Sequence, residues 1–134
     1  LREDIKDAQV GSFQIIKYPY SKDEQYVYYE NKIINGADPK SFDLFTENEL
    51  SSGESYYGKD KNNIYINTTP FKGVDPATFR ILDEKYTIDK NGVYYRMKKV
   101  KNADATSFKV YPHYMGDADA EDKHHKFGDG KIVE

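Results

Sequence analysis

The residues best equipped for chemistry lie in Asp117-Ala118-Asp119-Ala120-Glu121-Asp122, flanked by His113, His124 and His125. These are the chain's 3 histidines. Imidazoles beside carboxylates suit zinc, and carboxylates alone suit a hard cation such as calcium. His113, Asp117, Asp119, His124 and His125 therefore form a candidate metal set. The plainer reading is a solvated loop between repeats, with His124-His125 in a turn slot. Asp89-Lys90-Asn91-Gly92 opens like a calcium loop. Val93 then falls where a further oxygen ligand is needed, and an Asx-type turn explains the motif better.

A small basic patch, Arg96-Met97-Lys98-Lys99-Val100-Lys101, stands beside Tyr94 and Tyr95. Such a patch could hold single-stranded nucleic acid or an anionic glycan. In an acidic chain it reads better as a solvated hairpin edge, where lysines discourage edge-to-edge pairing. With 20 Lys+Arg against 23 Asp+Glu, the formal charge of −3 argues against a nucleic-acid partner. Cysteine is absent, which excludes disulfides, Cys-based zinc sites and a thiol nucleophile. There is no G-x-S-x-G, P-loop or H-E-x-x-H motif, so the chain is expected not to be an enzyme and no cofactor is implied. No apolar stretch is long enough to span a membrane as a helix.

What positions these residues is a repeat. Asp60-Lys61-Asn62-Asn63-Ile64-Tyr65 and Asp89-Lys90-Asn91-Gly92-Val93-Tyr94 are copies. Asp75 and Asp104 follow fifteen positions on, and Phe79 and Phe108 nineteen. The same ruler from Asp23 meets Val27, Tyr28, Asp38 and Phe42. A hydroxyl precedes each Phe (Ser41, Thr78, Ser107), and a tyrosine lies three before each Asp (Tyr20, Tyr57, Tyr86). Residues 5–15 match the back half of a unit, and residues from Asp122 the front half. The reading is one repeat domain over 1–134: a half unit 1–16, units 20–45, 57–82 and 86–111, and a half unit 119–134. The half units either belong to a longer array or complete each other in space.

Ile, Val, Leu and Phe make up only 28 of 134 residues, near the border of disorder, and 13 tyrosines carry the chain clear of it. Gln25–Tyr29 and Gly92–Tyr95 are short and rich in β-branched and aromatic residues, hence strands, with Ile33-Ile34, Val100 and Ile132-Val133 as hairpin returns. Ala37-Asp38-Pro39-Lys40-Ser41-Phe42 and Val74-Asp75-Pro76-Ala77-Thr78-Phe79 place Asp before Pro as at a helix start. The expected fold is an all-β, mainly antiparallel repeat array of about four units of ~30–37 residues. Each unit would be a β-hairpin, a one-turn helix at D-P-x-S/T-F and a further strand. Since a unit this small cannot bury its faces alone, neighbours must pack together. The surplus of tyrosine makes Tyr28, Tyr65 and Tyr94 the candidate binding surface.

At Asp60–Tyr65, Asp89–Tyr95 and Asp122-Lys123-His124-His125, and at the two Asp-Pro segments, the chain resembles the DKNYY family of bacterial repeat proteins. The resemblance runs from about Ile5 to Val133. The first copy departs, with Asp23-Glu24-Gln25, and the last has Lys126-Phe127 in place of its strand pair. The resemblance transfers no catalytic residue and implies a bacterial envelope or exported setting. The expected function is a non-catalytic β-repeat interaction module for another protein or envelope component. The alternative is a structural segment of a longer repeat protein. Oligomeric state is left open.

Overall fold

The structure, a computed structural model, describes residues 12–45 and 57–134. These residues form two compact units, divided between Pro76 and Ala77. The first unit holds two four-stranded antiparallel sheets. One is β1 (Gln14–Lys17), β2 (Tyr20–Lys22), β3 (Val27–Tyr29) and β4 (Lys32–Ile33); the other is β5 (Asp43–Leu44), β6 (Tyr57–Lys59), β7 (Ile64–Ile66) and β8 (Thr69–Phe71). The second unit repeats the plan. Its third sheet is β9 (Arg80–Ile81), β10 (Tyr86–Asp89), β11 (Gly92–Tyr95) and β12 (Lys98–Lys99). Its fourth is β13 (Lys109–Met115), β14 (Ala118–Glu121), β15 (Lys126–Gly128) and β16 (Lys131–Ile132). In every sheet the strands follow chain order, as the all-β repeat pattern predicts. No α-helix occurs among the described residues.

Register repeats with the sequence. Tyr29↔Lys32, Ile66↔Thr69, Tyr95↔Lys98 and Gly128↔Lys131 each close a two-residue hairpin. The first loop residue is left-handed in all four: Glu30, Asn67, Arg96 and Asp129 have φ of 54°, 56°, 58° and 49°. A tight hairpin between right-twisted strands demands this conformation, even of residues that rarely adopt it.

Each sheet begins two strands before the hairpin read from the sequence. Its first strand is the further strand expected after the Phe of the preceding copy; its second starts in the Tyr20 column, or one residue before it, at Ala118, in the fourth sheet. Tyr-Ser-Lys and Tyr-Gly-Lys are too short and polar to stand out as strands. The Asp-Pro segment at Asp38 is a single turn that does not continue into a helix: the Asp38 carbonyl accepts the N–H of Phe42 at 2.9 Å and of Ser41 at 3.3 Å.

Both cores use the same columns. In the first unit Tyr20, Val27, Ile34, Phe42 and Tyr65 pack together; in the second, Tyr86, Val93, Val100, Phe108 and Phe127, joined by Ala120. Phe42 lies between the rings of Tyr20 and Tyr65, at centroid distances of 5.6 and 5.9 Å. Phe108 lies likewise between Tyr86 and Phe127, at 5.2 and 5.3 Å. Burying one such ring is worth about 1.5–3 kcal/mol, with about 0.5–1.5 kcal/mol more for each tilted aromatic pair. Phe42 and Phe108 thus each join the two sheets of their own unit.

Candidate functional site

The repeated aspartates are structural knots. Asp60 is buried, and its Oδ1 accepts the N–H groups of Asn62 and Asn63 at 2.9 and 2.8 Å. Its Oδ2 accepts the Tyr65 hydroxyl at 2.9 Å and the Asp38 N–H at 2.8 Å. Asp122 repeats this with His124, His125 and the Asp104 N–H, at 2.8, 2.7 and 2.7 Å. The hydroxyl column adds a second tie: Ser41, Thr78 and Ser107 accept the N–H of Lys61, Lys90 and Lys123, each at 3.0 Å. Burial alone would raise the Asp122 pKa; the amides of Asp104, His124 and His125 outweigh it and hold the carboxyl below the ordinary carboxylate range. These acids are spent on turn geometry, as the Asx-turn reading expects.

Tyr28, Tyr65 and Tyr94 are 0%, 0% and 5% exposed. Their hydroxyls donate to Asp23, Asp60 and Asp89 at 2.7, 2.9 and 3.0 Å. Burial, then the adjacent Asp89, pushes the Tyr94 phenol up to about 12. The structure therefore places these rings inside, where they offer no surface to a partner.

The proposed metal residues do not converge. Asp119 is buried and accepts the Tyr86 hydroxyl at 2.6 Å, Lys85 Nζ at 3.2 Å and the Asp129 N–H at 3.2 Å. His113 and Asp117 are exposed, and His125 leans edge-on against Phe127 at 6.0 Å. Among the described residues no group of three histidines or acids is arranged to hold a metal.

What the sequence reading missed is the network around Asp119, whose members lie as far apart as Lys85 and Asp129. Asp119 stands three before Asp122, where the other copies have Tyr20, Tyr57 and Tyr86; that break in a column was the available signal. Tyr86 donates to Asp119 and accepts the Gly130 N–H at 2.9 Å, so it fixes the β15–β16 turn. Burial, reinforced by Asp119, pushes its phenol far above the ordinary value. Lys85 sits over the Tyr114 ring at 4.7 Å, and Tyr114 donates to Asp129. Burial would lower the Lys85 pKa, but Asp119 overrides it and raises it.

The Gly130 turn forms one wall of an open groove of about 830 Å³. Arg96, Lys98, Lys99, Lys101 and Lys131 line it against one acid, Asp129. Asp129 Oδ1 already accepts from Tyr95, at 3.4 Å, and from Tyr114. Met97 and Ile132, 39% and 41% exposed, add apolar surface. The basic patch noted in the sequence is thus one wall of a groove, and Asp129, Gly130, Lys131 and Ile132 from the hairpin of the neighbouring sheet form the other. Its chemistry is that of a cationic cleft with apolar patches.

No curated protein and no solved structure matches the chain. A family model does, over residues 2–69, the stretch that holds the first Asp-Tyr knots and the first Phe-centred core. On that match and the repeated sheets, the chain belongs to the DKNYY family.

Proposed function

We propose that the chain is a non-catalytic repeat module whose second unit holds a partner macromolecule in the Arg96–Lys131 groove. One observation carries this reading: five cations and two exposed apolar side chains share a cleft whose single carboxylate is already engaged. Elsewhere the repeated acids are occupied by turn amides and tyrosines, which leaves them poorly placed for general acid–base work. Charge clustered in a concave site also speeds and orients association.

A photoreactive residue placed at Met97 or Ile132, and at Ile15 as a control, tests the proposal in cells that make the protein. Adducts of one discrete size from both groove positions, absent from Ile15, are the expected outcome. Groove adducts no stronger than the Ile15 background would leave the chain a purely structural segment.

A further inference from the structure

We propose that the groove takes an extended acidic polypeptide segment, which adds as a strand along the edge of β12. This rests on the interaction-module reading and names the partner's chemistry. β12 is an outer strand of the third sheet, and β16 is an outer strand of the fourth, so the groove lies between two sheet edges. In an antiparallel pair, successive residues turn their amide and carbonyl alternately toward and away from the neighbour. Val100 donates to the Val93 carbonyl at 2.8 Å, so the preceding Lys99 turns its N–H and C=O outward. Across the groove Val133 donates to Lys126 at 2.8 Å, so Ile132 does the same. Both outward-facing residues line the groove.

An unpaired edge invites strand addition, with main-chain bonds supplying affinity and alternate side chains specificity. Lys98 and Lys99 on that edge repel a second copy of themselves, so self-pairing is disfavoured. A strand alternating Glu or Asp with apolar residues meets both features of the groove: its carboxylates face Arg96, Lys98, Lys101 and Lys131, and its apolar side chains face Met97 and Ile132. Nucleic acid fits less well. The groove's one ring, Tyr95, already has Arg96 over it at 5.4 Å and Gly130 packed against its base, so a base finds little face to stack on.

Fluorescence anisotropy with the full chain tests this, using a labelled peptide of about ten residues that alternates Glu and Val. It should bind at least about tenfold more tightly than its Lys/Val counterpart, and Lys98→Glu/Lys99→Glu should weaken it by a similar factor. Lys131→Glu, on the opposite wall, is the second variant should the first alter folding by circular dichroism. Methylating alternate backbone amides of the peptide should abolish binding in one register and spare it in the other. Equal affinity for both peptides, or methylation without effect in either register, overturns the proposal. So does stronger competition by polyphosphate or oligothymidylate than by unlabelled peptide. If the peptide fails while Met97 still yields adducts in cells, only the acidic-strand partner falls; if both fail, the interaction-module reading falls too.

Discussion

Tyr65 donates its hydroxyl to the same Asp60 oxygen that accepts the Asp38 N–H, at 2.9 and 2.8 Å, so one carboxylate oxygen ties a hairpin to the turn of the preceding copy. In the fourth sheet Phe127 takes the tyrosine's place, while Asp122 keeps the corresponding amide bonds. The carboxylate is the essential member and the phenol an addition. Asp60→Ala strands three amides and a hydroxyl and should cost about 3 kcal/mol or more; Tyr65→Phe should cost about 1.5 kcal/mol. Urea denaturation of the two variants checks the ranking, and equal costs would refute it.

Stability should fall in alkali. Burial, then Asp60, raises the Tyr65 phenol from 10.0 to about 12, with Asn63 opposing. Above pH 10 the unfolded chain releases this proton while the folded one keeps it, so the contribution is intact below 10 and lost on the way to 12. Tyr94 behaves alike, driven by burial and Asp89. Urea midpoints at rising pH should show the decline, and Tyr65→Phe should make it shallower. An unchanged slope in that variant would count against the argument.

Two glycines should respond differently to alanine. A Cβ on Gly58 would lie 2.4 Å from the Phe42 ring, in the middle of the core, and Gly58→Ala should cost about 1–3 kcal/mol. Gly36 has open space around it and only a φ of +84°, so Gly36→Ala should cost about 1 kcal/mol. Asn102 fills the Gly36 column at φ 59°, as expected of the residue after glycine that best tolerates this conformation. Thermal melts of both variants decide the order.

Asp119→Ala should destabilise the second unit strongly. It removes the acceptor for Tyr86, Lys85 and the Asp129 N–H, and should cost about 3 kcal/mol, discounted from a fully buried pair because Lys85 is partly solvated. Asp119→Asn keeps one acceptor and should cost less. Urea unfolding followed through tyrosine fluorescence checks both, and a cost below about 1 kcal/mol for the alanine would argue that the network is dispensable.

The spacing of like residues along the chain determined the repeat, the strand character of the Val27, Ile64 and Val93 segments, and the turn role of the aspartates. Each depends on interactions within a few residues, and such short-range patterns can be read from order alone. Tertiary structure decided which way the tyrosines face. Period-two alternation separates two faces of a strand, but a sheet with packing on both sides buries both, and Tyr28, Tyr65 and Tyr94 went inward because a buried carboxylate waits five residues upstream. It also decided the groove, because Lys131 and Ile132 reach Arg96–Lys101 only when two sheets of one unit pack on Phe108. Residues some thirty positions apart carry no mutual signal until a shared core brings them together.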